Sequence, residues 1–278
     1  MNNKWYLLIF VFLAAGIILI NQGALASNSN VNLENLKEEL ALEENAEIVG
    51  TAAADLTGDG TEDKLILLGN KLENSDSPFR DKLKVIVKPE GTGRYLSATY
   101  NGFCGYEPEV LLKDFTGDEI AEVMVAANSG GSGGVYYHLI ATFKGGQGEV
   151  IFAQDDNHGL QVTGKFLSDF KAKLNFGELE EEVILNLGAK KQEYVKQKVY
   201  NEAGDLIKKD LVRPYSYPFS KLEPVHYNRD GKYELRGIQK IVGTCGADTI
   251  SEVTSIWAYE ASEWHVKVAQ YSTFLKLN

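Results

Sequence analysis

Cysteine is scarce in this sequence, and its distribution argues against one common kind of metal site. Only two cysteines occur, Cys104 and Cys245. They form no CxxC pair and no Cys/His cluster, so a zinc site is not expected. No cysteine follows the apolar N-terminal run, which excludes lipid attachment at a new N-terminal cysteine. In an oxidising compartment the two thiols could form a disulfide, and the sequence leaves the bridged and free states open.

Basic residues are outnumbered by acidic ones. The chain of 278 residues has 28 lysines and arginines against 39 aspartates and glutamates, a net charge of −11. Nucleic acids and anionic membrane surfaces are bound through basic patches, so we expect neither as a partner. None of the four histidines lies in a HExxH or GxSxG setting, and no catalytic residue is predicted. An acidic balance suits an exported protein that holds divalent cations.

The first 26 residues predict export. Lys4 provides a positive start, and Trp5–Ile20 carries no charged group. Ala24 and Ala26 then place small residues where a signal peptidase cleaves, so residues 1–26 are predicted to be a cleavable signal peptide. The alternative is an uncleaved anchor, which would be the protein's link to a membrane. In either case we expect a secreted or cell-envelope protein.

The remaining sequence predicts one short helix followed by a β domain. Within residues 27–46, Leu33, Leu36 and Leu40 share one helical face. From residue 47 to 278, prolines are few and short β-branched or aromatic segments alternate with Gly, Asn and Asp. The clearest predicted strands are 64–68, 83–87, 122–126, 135–143, 150–152, 183–185, 195–200 and 254–259.

An internal repeat organises the predicted β domain. Segment 55–63 (DLTGDGTED) resembles segment 114–122 (DFTGDEIAE), and 226–234 (HYNRDGKYE) is a poorer third copy. The offsets of 59 and 112 residues predict four units of roughly 57 residues, although the position near residue 170 lacks the acids. Each unit has room for four strands. We therefore expect a mainly β, propeller-like domain of about four blades over residues 47–278.

The first of these loops has the spacing of a calcium site. Its predicted ligands stand at alternate positions, one of them through a backbone carbonyl: Asp55, Thr57, Asp59, Thr61 and Asp63. Gly60 permits the tight left-handed turn that brings alternate oxygens together. Hard oxygen ligands suit calcium better than softer transition metals. The alternative is an acidic β-turn without an ion.

The second loop repeats the pattern with one change. Its predicted calcium ligands are Asp114, Thr116, Asp118, the Ile120 carbonyl and Glu122. Glu119 replaces the glycine of the tight turn, which is expected to strain the backbone and weaken binding. In the third copy His226 replaces the first carboxylate, so a turn without metal is the better interpretation.

The motif Asp-x-Thr-Gly-Asp-Gly-x-x-Asp, followed at once by an apolar strand, resembles the FG-GAP or VCBS-type repeats of integrin α-subunit-like β-propellers. The resemblance covers residues 53–69 and 112–127 strongly and 225–238 weakly. It implies aspartate loops that hold calcium between two strands of a blade, in a scaffold for adhesion or ligand binding. It implies no catalytic residue.

These patterns predict an exported calcium-binding β-repeat protein. We expect the calcium to be structural and the scaffold to bind a protein or glycan ligand. Two alternatives stay open: a hydrolase that acts on envelope polysaccharide, and an envelope structural component held by its N-terminus. The scaffold is favoured over the enzyme because no catalytic constellation emerges from the spacing of the residues.

Expression of the full chain in a secreting bacterium tests the predicted signal. Cleavage after Ala26 should give a mature protein that begins at Ser27, because residues 24 and 26 are small enough for the peptidase. N-terminal sequencing and intact mass identify the product, and an Ala26→Trp variant should remain uncleaved. A wild-type protein that keeps residues 1–26 would demonstrate an anchor instead.

Overall fold

The structure, a computed structural model, describes residues 31–73, 75–131, 133–207 and 213–274. It confirms a mainly β protein with a short helix before the first strand. The predicted signal peptide lies outside the described residues. Within those ranges, no helix has the length and apolarity needed to cross a membrane.

Helix α1 spans Leu33–Leu40 and begins where the sequence provides a cap. The side-chain oxygen of Asn32 accepts hydrogen bonds from the backbone N–H groups of Glu34 and Asn35, which have no partner within the helix. The buried side of the helix is centred on Leu36, which packs on residues 66, 68 and 86 of the following sheet. The helix therefore covers one face of the β domain.

The first eight strands form an N-terminal sheet. Its order is β1-β2-β3-β5-β6-β7-β8, with β4 paired to β3, and the paired strands are antiparallel. The strands span Ala46–Ala54 (β1), Asp63–Lys71 (β2), Phe79–Lys88 (β3), Leu96–Thr99 (β4), Gly105–Lys113 (β5), Glu122–Asn128 (β6), Tyr136–Thr142 (β7) and Glu149–Phe152 (β8).

The remaining seven strands form a C-terminal sheet. Its order is β11-β10-β9-β12-β13-β14-β15, again antiparallel throughout its pairs. The strands span Val162–Leu167 (β9), Lys171–Phe176 (β10), Glu181–Asn186 (β11), Tyr215–Val225 (β12), Glu234–Val242 (β13), Thr249–Glu260 (β14) and Glu263–Thr273 (β15). Helix α2, Lys191–Lys196, lies between β11 and β12 in the chain.

The strands fall into consecutive antiparallel groups, β1–β4, β5–β8, β9–β11 and β12–β15. Strand β3 meets β5 at two residue pairs, Phe79–Tyr106 and Arg80–Gly105. Strand β9 meets β12 at one pair, Thr163–Tyr215. The groups are thus joined by short contacts into two curled sheets. Closure of the groups into a propeller stays a prediction.

An apolar cluster joins the two halves of the chain. Phe115 and Met124 pack with Phe219 and Leu235, and each of the four is at most 1% exposed. Trp264 adds an edge-to-face contact on Phe115, with ring centroids 5.9 Å apart. Because the cluster mixes residues from β6, β12, β13 and β15, the two sheets share part of one core.

Two expectations from the sequence are settled by the fold. The strand predicted at 195–200 is wrong, because Val195 lies in α2. The helix ends at Lys196, and Lys198 just after it has the left-handed conformation typical of a helix end, with a φ of 57°. The fully buried rings of Tyr194 and Tyr200 anchor this turn in the C-terminal core. Of the two cysteine states left open, the structure has free thiols.

Leu235→Ala tests the cluster that joins the halves. Leu235 is fully buried, whereas Leu72 is 43% exposed and serves as the control. Truncation of the buried leucine should lower the free energy of unfolding by about 2–5 kcal/mol, because a cavity remains. Leu72→Ala should change it by less than about 0.5 kcal/mol. Urea melts measure both values, and equal losses would contradict the packing described.

Candidate functional site

Three loops of similar sequence each lead into an inner strand. The first loop (Asp55–Asp63) ends at the start of β2, the second loop (Asp114–Glu122) at β6, and the third loop (His226–Glu234) at β13. The last residue of each is an acid with 0% of its surface exposed. A buried carboxylate is costly unless hydrogen bonds satisfy it, so the partners of these acids define the loops.

Each buried acid closes its loop on a backbone amide seven positions earlier in the chain. Asp63 Oδ2 accepts the N–H groups of Leu56 and Thr57, both at 2.9 Å. Glu122 Oε2 accepts the equivalent amides of residues 115 and 116 at 2.7 and 3.2 Å. Glu234 Oε2 accepts the amide of residue 227 at 2.9 Å. The third copy, poor in sequence, therefore has the same anchor as the first two.

The acid that opens a loop holds its turn. Asp55 accepts the N–H groups of Gly58 at 2.7 Å and Gly60 at 2.8 Å. Asp114 accepts the amides of residues 117 and 119 at 2.6 and 2.8 Å. His226 has no carboxylate to offer, and its Nδ1 lies 3.3 Å from the carbonyl of residue 232 instead. In the first two loops the acids at both ends therefore accept backbone amides, whereas in the third loop only the acid at the end does.

The tight turn of each loop has a left-handed residue. Its φ is 84° at Gly60 and 105° at Gly231. In the second loop the same conformation falls on Glu119, at φ 68°, so the left-handed backbone expected at this position is confirmed. A side chain here costs more than glycine, because L-residues rarely adopt this region.

The three loops pack against one another in a row. A Cβ on Gly58 would lie 2.4 Å from the Ile120 side chain, so the first loop is in direct contact with the second. Asp114 accepts the backbone N–H of Tyr233 at 2.7 Å through its carbonyl, and Lys113 Nζ lies over the Tyr233 ring. The second loop is therefore the centre of the row.

The acids of the second loop have partners within the protein. Lys144 Nζ donates to Asp118 Oδ2 at 2.8 Å, and the Thr116 hydroxyl donates to Glu122 Oε1 at 3.2 Å. Burial tends to raise the pKa of Asp118, but its hydrogen bonds, first that of Lys144, hold the pKa below the usual value. Burial raises the pKa of Glu122 to about 7, although the hydrogen bonds that it accepts from the amides of residues 115 and 116 lower the pKa.

The first loop differs by one methylene group. Asp63 occupies the position of Glu122, and both Asp63 Oδ1 and Thr57 Oγ1 are buried without a hydrogen-bond partner in the described structure. The remaining predicted ligands lie at the surface, where Asp59 Oδ1 accepts both the amide and the hydroxyl of Thr61. Unpaired buried oxygens are uncommon, and a bound water or ion is one way to satisfy them.

The predicted calcium ligands do not converge in the way a closed site requires. Among the residues that the structure describes, no three acidic, histidine or cysteine side chains are placed to hold one metal ion. The donor chemistry of the first loop still fits calcium, because a hydroxyl and a carboxylate oxygen lack partners and every carboxylate oxygen has two lone pairs. The second loop fits less well, since Lys144 already supplies a positive charge.

Lys144 is the residue of this site that sequence reasoning missed. It lies 26 positions after Asp118 and in no motif, so its role arises from the packing of the β7–β8 turn on the second loop. The role of Asp63, Glu122 and Glu234 as buried anchors was also missed, although their common position before an apolar strand is visible in the sequence. An acid directly ahead of a buried strand is the signal for such an anchor.

The strand order and the loops define a class: a mainly β protein of two antiparallel sheets with inner strands that begin at buried acidic anchors. Within that class the chain belongs to the YybI family. It is 32% identical over 210 residues to protein YybI of Bacillus subtilis (strain 168), an alignment that covers 75% of this chain and 78% of that protein. A family model described as the YybI C-terminal domain matches residues 160–272. No solved structure matches the chain.

Glu122→Gln tests the buried anchor through pH. The raised folded-state pKa, about 7 against an ordinary 4.5, means that this group's stabilising contribution is present below about pH 4.5 and is lost as the pH rises through 7. The loss should reach about 3 kcal/mol in the wild type and be absent in the amide variant, which keeps the same shape. Urea melts in chelator between about pH 5 and 8 measure this difference.

Glu109→Gln is the matched control for this experiment, because Glu109 is exposed on β5 of the same sheet. Its stability should follow that of the wild type across the whole pH range. If Glu122→Gln and the wild type also show parallel profiles, the carboxylate is not held in the buried position described.

Proposed function

We propose that this protein is an exported binding scaffold built on FG-GAP or VCBS-type repeats, and that its first loop takes one structural calcium ion. The observation that carries the calcium proposal is that two buried oxygens, Thr57 Oγ1 and Asp63 Oδ1, have no hydrogen-bond partner in the described structure. Asp63 Oδ2 accepts the Thr57 amide, so the two residues are direct neighbours. They occupy positions 3 and 9 of the predicted ligand series.

Calcium in the first loop would serve stability rather than chemistry. Asp55 and Asp59 would contribute carboxylates beside the buried pair, and the positive charge would offset repulsion among the four acids of this nine-residue loop. The loop enters β2, which is buried along most of its length. An ion there would therefore strengthen the start of a central strand.

The second loop is proposed as the weaker calcium site. Lys144 already pairs with Asp118, and Glu119 occupies the left-handed turn position. An ion would have to replace the ammonium group and work against a less favourable backbone. This arrangement supports a division of roles in which calcium stabilises the first loop and a lysine stabilises the second.

Export and ligand binding complete the proposal. The N-terminal segment has the layout of a signal peptide, and the acidic composition suits calcium-rich surroundings outside the cytoplasm. A propeller-like closure of the strand groups and a protein or glycan ligand are part of the same proposal. They are supported by the repeat spacing and by the buried acid that anchors each of the three loops in the same way.

Thr57→Val tests the calcium site without a large change of shape. In excess calcium the wild-type full chain should gain about 2.7 kcal/mol when the ion is at about 100 times its dissociation constant. The variant should lose this gain. In chelator it should be as stable as the wild type or more stable, because an unpaired buried hydroxyl has been replaced by a methyl group. Thermal melts of the wild type and the variant, each with calcium and with chelator, measure these differences.

Thr116→Val is the control in the second loop. Its hydroxyl has a partner, Glu122, so its removal should destabilise the protein in chelator and leave most of the calcium effect in place. Asp59→Ala should abolish the calcium shift, and Asp118→Ala should reduce it by less. Identical wild-type melts with and without calcium would remove the metal from the proposal and leave the loops as acid-anchored turns.

A further inference from the structure

A basic cleft lies on the outer face of the C-terminal sheet, although the chain as a whole is acidic. Its volume is about 620 Å³, within the range of ligand sites in proteins, roughly 300–1,000 Å³. Strands β9 and β10 form its floor, and the segment that leads into β12 forms one side. The basic residues that line it are Lys165, Lys173 and Arg213.

Two of these positive charges are placed against each other. Lys165 on β9 is directly opposite Lys173 on β10 in the antiparallel register. Like charges in this position destabilise a sheet, so the pair is unfavourable for the fold alone. Glu182 on β11 relieves part of the repulsion, since its carboxylate lies 2.7 Å from Lys173 Nζ.

Lys165 and Arg213 are the two basic residues available to a ligand. Within the ranges that the structure describes, neither Lys165 nor Arg213 has an acidic side chain at ion-pair distance, although Glu182 attracts Lys165 from farther away. Both residues are exposed, and Arg213 stands beside Pro214 at the side of the cleft. Lysine and arginine side chains with free donors bind carboxylates and phosphates, arginine through two parallel hydrogen bonds.

Neutral polar groups and a flat ring complete the surface. Thr163 and Asn175 are opposite each other in the register and both are exposed, two positions along the strands from the two lysines. Tyr215 pairs with Thr163 and is 42% exposed, so part of its ring faces the cleft. Hydroxyl and amide groups suit sugar hydroxyls, and an aromatic face suits the apolar face of a sugar ring.

We propose that this cleft binds an anionic glycan, with Lys165 and Arg213 on its negative groups and Tyr215 against a sugar ring. The open, strand-lined form of the cleft accepts a chain that continues beyond it on both sides. The inference rests on the proposed binding role of the protein, for which it names the class of ligand. It does not depend on calcium, because the cleft and the first loop are formed by different sheets.

The test uses the purified full chain and an oligogalacturonate, whose sugar rings each carry a carboxylate. Calorimetry at low salt should show binding, and raising the ionic strength to about 1 M, where charges are screened beyond about 3 Å, should weaken it strongly. The fully methyl-esterified oligomer has the same rings without the charge and should not bind measurably. Lys165→Gln and Arg213→Gln should each weaken binding by about tenfold or more.

Lys171→Gln is the matched control, since Lys171 is an exposed lysine of the neighbouring strand β10, pairs with Asp169 and does not line the cleft. It should bind like the wild type. Thermal melts report folding, and Lys165→Gln should melt no lower than the wild type because a repulsive pair is removed. A fall in affinity with unchanged melting supports a binding role.

Other outcomes overturn the proposal in distinct ways. Equal binding of the esterified oligomer, or full affinity in both cleft variants, removes the basic residues from recognition. Displacement of the glycan by inorganic phosphate at its own concentration shows a site for small anions. Binding to vesicles of anionic lipid in place of the glycan shows a lipid surface. Parallel titrations with calcium and with chelator separate failure of this proposal from failure of the calcium site.

Discussion

The fold depends on a buried carboxylate that accepts backbone N–H groups at the entrance to an inner strand. Asp63, Glu122 and Glu234 all have this role, and all three are fully buried. The arrangement satisfies amides that would otherwise lack partners in a tight turn, and it compensates the acid for the loss of water. Because each anchor is the first residue of its strand, loop conformation and strand register are set together.

The first and second loops share one motif but differ in whether their buried polar groups find partners within the protein. In the second loop the longer side chain of Glu122 reaches Thr116, and Lys144 supplies a positive charge from another turn. In the first loop the shorter Asp63 leaves two oxygens without partners. The same backbone conformation thus occurs in one loop whose buried oxygens all have partners and in a neighbouring loop where two oxygens have none. The loop with the unpartnered oxygens is where an added ion has a physical role.

The sequence predicts the β class, the position of α1 and the two strong loops, because these depend on local patterns of apolar and turn residues. It does not predict α2, where the core contacts of Tyr194 and Tyr200 decide the conformation over the β-branched Val195 and Val199. The sequence also does not predict the role of Lys144 or the basic cleft. Both arise when residues distant in the chain are brought together, and such pairing needs a register that periodicity alone does not give.

The contact between the second and third loops has a consequence for how the chain reaches its fold. Lys113 and Tyr233 are 120 residues apart in sequence, and the strands β9–β11 with helix α2 lie between them in the chain. Closing so long a segment has an entropic cost that local hairpins avoid, and nonlocal pairings of this kind slow folding. The four-stranded groups can form from neighbouring residues, so docking of the last group onto the second is the natural late step of assembly.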